Sequence, residues 1–167
     1  MAATWEALAL TRFLPCALPP TPQVCGVTDP GRSIDAVIFD MDGVLTDSEP
    51  LINAAAVAMF REKGLNVQPE DFIPFVGTGE DRYIGGVAEK HGFPLDLPAA
   101  KKRTYEIYLE LVPQRLVAFP GAQGLVRRCR TAGLQVAVAS SADLIKIEAN
   151  LRKIGLPPGE WNAIVAA

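Results

Sequence analysis

Residues 36–48 read Ala36-Val37-Ile38-Phe39-Asp40-Met41-Asp42-Gly43-Val44-Leu45-Thr46-Asp47-Ser48. The run begins with four apolar residues that favour β structure, which is typical of a buried strand. Two carboxylates follow, two residues apart, and a glycine comes directly after them. Because side chains alternate along an extended chain, we expect Asp40 and Asp42 to point to the same side. They would then lie at the carboxyl edge of a sheet, where open α/β folds bind their ligands.

The close spacing of these carboxylates indicates a metal-binding or catalytic role. Two anions held together repel each other unless a cation lies between them or one of them takes up a proton. The pair therefore indicates either a Mg²⁺ site made of oxygen ligands or a nucleophile beside an acid/base. The structural alternative is an Asp-Gly step in a tight turn with both carboxylates solvated. That alternative explains the glycine but not two carboxylates behind an apolar strand.

The same run resembles the first signature motif of the haloacid dehalogenase-like (HAD) hydrolases, in which an apolar strand precedes Asp-x-Asp-Gly. The resemblance implies that Asp40 attacks phosphorus and forms an aspartyl phosphate, while Asp42 protonates the leaving group and then activates water. It also implies Mg²⁺ as cofactor, bound by Asp40 and by Asp42 through its backbone carbonyl. Dehalogenases of the family have Tyr at the position of Asp42. Because a leaving alkoxide needs a proton, Asp42 favours a phosphatase or phosphomutase of a small phosphorylated metabolite.

The order of the predicted elements is strand, helical block, helix, strand, helix, strand, which is typical of a parallel α/β fold. We expect a Rossmann-like parallel sheet, the HAD core, in residues 34–49 and 119–167. The helical block, residues 50–118, resembles the small all-helical cap that the family inserts after the first strand. Residues 1–33 contain five prolines, and we expect either a disordered leader or an organelle transit peptide there.

A second candidate site follows the second predicted strand, residues 134–139, which ends in Ser140-Ser141. A strand that leads directly into a helix places a hydroxyl and backbone N–H groups at a helix N-terminus, which binds anions. The resemblance implies that Ser140 holds the transferring phosphoryl group and that the Ser141 N–H is a second donor. The alternative is an ordinary helix N-cap.

The segment Gly77-Thr78-Gly79 does not fit a dinucleotide-binding pattern, because Arg82 stands where the third glycine is needed and no strand precedes it. We expect a cap loop that faces the substrate, with Gly77, Thr78, Glu80 and Arg82 as candidate specificity residues. For the charged residues, the alternative is a solvated helix face, which we favour slightly.

Two further motifs of the family normally follow the third strand, where this chain ends. One is a Lys or Arg beside the phosphate, and the other is an acidic pair that completes the Mg²⁺ site. Nothing in the spacing of Lys146 or Lys153 marks either as a substitute. Asp40 and one carbonyl are too few oxygens for a good Mg²⁺ site. We therefore expect a hydrolase that is inactive in this truncated form, or a non-catalytic HAD-like binding or regulatory module. The first strand should also be exposed along one edge.

Composition narrows the class of protein. Hydrophobic residues make up 49% and charged residues 21% of the chain, as in soluble globular domains. The net charge of −3 provides no basic field for nucleic acid, and no apolar run approaches the roughly 20 residues of a membrane span. The three cysteines lack metal-ligand spacing, which suggests a reducing compartment. Nothing in the sequence indicates an oligomeric state.

The cap segments carry a narrower resemblance than the catalytic motifs. Residues 71–80, 85–88, 106–109 and 136–151 resemble the HAD domain that opens a family of multidomain plastid proteins, where it precedes thioredoxin-like and β-propeller domains. The resemblance implies a fragment of a larger plastid protein and a chloroplast location. Without it, we would expect a cytoplasmic protein.

Overall fold

Three parallel strands form the sheet in a computed structural model that describes residues 34–167. The strands are β1 (Ala36–Asp40), β2 (Gln135–Ala139) and β3 (Ala163–Val165), in the order β1-β2-β3. Asp40 lies opposite Ala139, and Ala139 lies opposite Val165. The carboxyl ends of all three strands therefore meet at one edge of the sheet, which is where an open parallel sheet places a site.

Helices account for most of the remaining described chain. They are α1 (Glu49–Glu62), α2 (Glu80–Lys90), α3 (Leu97–Arg115), α4 (Ala122–Thr131) and α5 (Leu144–Lys153), with 3₁₀ helices at Pro69–Phe75 and Pro158–Glu160. The predicted α/β fold, a parallel sheet with a helical insertion after its first strand, is confirmed. The division into core and cap at residues 50 and 118 stays a prediction, and the predicted leader lies outside the described residues.

The helices of the insertion are held together by apolar faces. In α1 the first turn contains Pro50, whose missing N–H costs nothing there. The buried side chains of α1 recur at helical spacing and are Leu51, Ile52, Ala55, Ala56, Met59 and Phe60. This face packs on α3, and each large side chain contributes about 1.5–3 kcal/mol by leaving water. Among the helices of residues 34–167, none is long and apolar enough to cross a bilayer.

The prediction of a buried first strand holds for one face of β1 only. Phe39 is buried and packs edge-to-face on Trp161, with ring centroids 6.0 Å apart. Ile38 points to the opposite face and is 70% exposed. β1 is also an edge strand of the described sheet, so one row of its backbone N–H and C=O groups has no neighbouring strand there. This agrees with the expected exposed edge.

Candidate active site

The end of β1 and the turn after it position both carboxylates of the first motif. Asp40 is the last residue of β1, and its Oδ1 accepts a hydrogen bond from the Met41 N–H at 2.7 Å. Gly43 has a φ of 77°, a conformation that L side chains rarely adopt. Its N–H donates to the Thr46 carbonyl at 2.9 Å and closes the turn. The turn places Asp42 beside the end of β2.

The Asp42 carboxylate accepts three side-chain hydrogen bonds in the site. Its Oδ1 accepts a hydrogen bond from Ser48, a fully buried residue that precedes α1. Its Oδ2 accepts from Ser140 Oγ at 3.4 Å and from Lys146 Nζ at 3.1 Å. These three donors come from three different segments, so the geometry of Asp42 depends on the assembled fold.

Ser140 follows β2 directly, but it does not lie at the start of a helix as the sequence predicted. A turn at residues 140–143 intervenes, and α5 begins at Leu144. The Ser140 N–H donates to the Val165 carbonyl at 3.0 Å, and Ser140 Oγ accepts from the Ala142 N–H at 3.1 Å. The Ser140 N–H is therefore bonded to β3 and is not a free donor at a helix N-terminus. Ser140 keeps its hydroxyl at the carboxyl edge of the sheet.

Lys146, on α5, is the functional candidate that the sequence analysis missed. It is only 3% exposed, and its Nζ lies 3.1 Å from Glu80 Oε1 as well as 3.1 Å from Asp42. Burial alone would lower the pKa of Lys146, yet the negative charges of Asp42 and Glu80 outweigh it and raise that pKa. The ammonium therefore stays charged at neutral pH and joins the first motif to α2.

A cavity of about 410 Å³ connects these groups. Its lining includes Asp40, Asp42, Glu49, Glu80, Ser140, Ser141 and Lys146. Four carboxyl groups thus face one ammonium group among the described lining residues. The pKa of Glu49 is raised above its usual value, mainly by burial, and the positive charge of Lys146 lowers that pKa by a smaller amount. The cavity is acidic and large enough to hold a small molecule.

The candidate specificity residues divide into two groups. Gly77 and Glu80 line the cavity, and Glu80 is buried in an ion pair, not on the solvated face that we favoured. Thr78 Oγ1 instead donates to the Phe75 carbonyl at 2.7 Å. Arg82 pairs with Glu89 at 2.6 Å, away from the cavity lining. The structure therefore brings together only part of the predicted set.

The described residues do not form a complete Mg²⁺ site. Within residues 34–167 there is no group of three or more His, Cys, Asp or Glu residues placed to hold a metal ion. Asp40 and Asp42 supply oxygens, but the Lys146 ammonium already neutralises part of the charge of Asp42. Mg²⁺ prefers six oxygen ligands in octahedral geometry, so this donor set does not fit the ion by itself.

The family model for haloacid dehalogenase-like hydrolases matches residues 34–165. The chain belongs to this family. This HAD-like chain is 49% identical over 152 residues to Protein SUPPRESSOR OF QUENCHING 1, chloroplastic, from Arabidopsis thaliana, an alignment that covers 88% of the chain and 14% of that protein. The predicted family and the narrower plastid resemblance are both confirmed.

Two further comparisons concern smaller relatives of the HAD-like chain. It is 37% identical over 98 residues to 6-phosphogluconate phosphatase from Escherichia coli, covering 56% of the chain and 42% of the relative. Its fold matches the crystal structure of CbbY from Rhodobacter sphaeroides in complex with phosphate, with a TM-score of 0.73 and 26% identity. That match covers 81% of the chain and 64% of CbbY. The chain therefore spans less than two thirds of each relative.

Proposed function

We propose that this site belongs to a phosphatase-type hydrolase that acts on a small phosphorylated metabolite. The observation that carries the proposal is the shared cavity, which joins Asp40 and Asp42 after β1 to Ser140 and Ser141 after β2. Phosphoryl transfer needs a nucleophile, an acid/base and donors for the phosphoryl oxygens, and these residue types supply all three. The similarity to a phosphatase and to a protein crystallised with phosphate supports the same reaction class.

In the proposed reaction, a carboxylate oxygen of Asp40 attacks phosphorus, and the bond between phosphorus and the leaving oxygen breaks. Protonated Asp42 gives its proton to that oxygen, so the alcohol leaves neutral. Asp42 then takes a proton from water, which attacks the phosphorus of the aspartyl phosphate and releases Asp40 and inorganic phosphate. Ser140 and the Ser141 N–H orient the phosphoryl oxygens throughout. Whether the physiological reaction is hydrolysis or phosphoryl transfer to a second hydroxyl depends on the acceptor.

The charge balance of the cavity favours a bound cation during turnover. Four carboxyl groups face one ammonium group, so positive charge in addition to that of Lys146 would strengthen the binding of a phosphate dianion. We propose Mg²⁺ as this charge, with Asp40 and the Asp42 carbonyl among its ligands and the other oxygens supplied from outside residues 34–167. When bound, the ion would neutralise charge on the nucleophile and the phosphoryl group.

The test is hydrolysis of an aryl phosphate with Mg²⁺ by an extended protein, in which residues 34–167 are followed by the segment that completes the length of the relatives. Asp40→Asn should abolish turnover, because a neutral amide cannot attack phosphorus. Asp35→Asn is the matched control, since Asp35 lies before β1 at the opposite end of the strand. Full activity of the Asp40→Asn protein would refute the proposal.

A non-catalytic binding module is the second candidate function. It is favoured by the ion pair between Lys146 and Asp42 and by the incomplete metal ligand set of residues 34–167. Phosphate binding by the extended protein without any turnover would support the module and contradict the hydrolase.

We also propose a chloroplast location, supported by the similarity to a chloroplastic protein. A fluorescent-protein fusion to the C-terminus of the chain, expressed in plant cells, tests it. Fluorescence confined to plastids is expected, and an even cytoplasmic signal would contradict the proposal.

A further inference from the structure

The hydroxyl and ammonium groups that donate hydrogen bonds to Asp42 could also bind a different anion. Ser140 Oγ and Lys146 Nζ both donate to Oδ2 of Asp42, at 3.4 Å and 3.1 Å. Ser48 donates to the other oxygen. A carboxylate held by a hydroxyl and an ammonium resembles a phosphate held by the same groups, because both anions present charged oxygens to charge-assisted hydrogen bonds. Asp42 therefore fills a position that an oxygen of a bound phosphate could take.

Lys146 is held in place by contacts that do not involve Asp42. Its Nζ lies 3.1 Å from Glu80 Oε1 and 5.8 Å from the centre of the Tyr108 ring. The Tyr108 hydroxyl donates to Asn150 Oδ1 at 2.8 Å, and Asn150 is one turn after Lys146 on α5. This buried bond fixes α5 against α3. Lys146 can therefore exchange one partner and still remain in the cavity.

Lysine is chemically suited to such an exchange. Its ammonium carries three rotatable donors on a flexible stem and binds phosphate as a point charge. Lys146 is also the one cationic side chain among the described residues that line the cavity. An anion that enters the cavity at Ser140 would therefore find its positive partner in Lys146.

We propose that Lys146 is a phosphate-binding residue and that it and Ser140 exchange the Asp42 carboxylate for the phosphoryl group of the substrate. This inference rests on the proposed function only in placing the phosphoryl group at Ser140. In the free site, Asp42 occupies the donors. In the complex, Lys146 bridges Glu80 and a phosphoryl oxygen, and Asp42 keeps the Ser48 bond alone.

The first test is titration of the 167-residue chain with inorganic phosphate, followed by ³¹P NMR in the absence of divalent cations. Lys146→Met should weaken phosphate affinity by about tenfold or more, the usual effect of one charged hydrogen bond. Lys153→Met is the matched control, because Lys153 lies on the same helix, is exposed and bonds the Pro113 carbonyl. It should bind phosphate as the unmodified chain does. Equal affinity of the Lys146→Met and Lys153→Met chains would overturn the inference.

The second test addresses the exchange itself and does not depend on the folding of the Lys146→Met chain. Asp42→Asn keeps the size of the side chain but removes the competing charge, so phosphate affinity should rise by about tenfold. Lower or unchanged affinity would overturn the exchange, as would a failure of the unmodified chain to bind phosphate. None of these results concerns the nucleophile, which is tested separately by turnover of the Asp40→Asn protein.

Discussion

Lys146→Met should strongly destabilise the fold, because it leaves two carboxylates without their shared cation. The side chains of Lys146, Glu80 and Asp42 are 4%, 9% and 19% exposed, and each N–O distance is 3.1 Å. At an effective dielectric constant of about 20, one such contact is worth about 5 kcal/mol before desolvation is subtracted. Removing one partner of a buried pair costs about 3–5 kcal/mol. We expect a loss of this size in the free energy of unfolding.

A double-mutant cycle makes the reasoning specific to charge. Glu80→Gln alone should cost about 1–2 kcal/mol, because Lys146 keeps Asp42 and loses one charged partner. In the Lys146→Met background the same change should be neutral or stabilising, since it removes an unpaired buried carboxylate. Urea unfolding followed by fluorescence of the buried Trp161 measures all four proteins, with Lys153→Met as a control within about 0.5 kcal/mol. An equal effect of Glu80→Gln in both backgrounds would refute the charge-pair explanation.

Three further predictions follow from the same site. In the extended protein, Asp42→Asn should slow hydrolysis of alkyl phosphates about 10²–10⁴-fold more than that of esters with acidic leaving groups; equal losses would show that Asp42 is no acid/base. The pKa of Lys146 is raised in the folded chain above the value of 10.5 expected for the unfolded chain. The stability that the charged Lys146 contributes is therefore complete at pH values below 10.5, and it is lost as the pH rises through the pKa of the folded chain. Alkaline unfolding of the unmodified chain should therefore be steeper than that of the Lys146→Met chain, and identical profiles would contradict this. The 167-residue chain itself should show little Mg²⁺ binding and negligible turnover; a thermal melt that rises clearly with Mg²⁺, together with turnover, would mean that residues already present, such as Lys146 or Asp143, complete the site.

The part of the site that the sequence predicted is the part encoded locally. Apolar residues before Asp40, the Asp40 to Asp42 spacing and Gly43 all lie within one short segment, so the strand and turn follow from alternation and glycine conformation. The second strand and Ser140 were found for the same reason. Parallel strands align their carboxyl ends, and the structure accordingly brings Asp42 and Ser140 to the same edge of the sheet.

Lys146 was missed because its role depends on partners far away in the sequence. A lysine on an amphipathic helix is usually solvated. Glu80, the buried ion-pair partner of Lys146, is 66 positions away in the sequence. One local signal was available: Lys146 shares a helix face with the buried residues Ile147, Asn150 and Leu151, so it lies on the side of α5 that faces the protein. The helix N-terminus predicted at Ser140 was also wrong, because the Ser140 N–H bonds the Val165 carbonyl, which is far away in the sequence.

The separation between Asp42 and Lys146 has a consequence for synthesis of the protein. The two residues are 104 positions apart, and the whole helical insertion lies between them. At a translation rate of about 5–20 residues per second, Asp42 is made about 5–20 s before its ammonium partner. During that interval the nascent chain carries the acidic pair of Asp40 and Asp42 without the counter-charge of Lys146. The helices of the insertion, rich in local contacts, are able to form first, whereas the site itself can close only after α5 has left the ribosome.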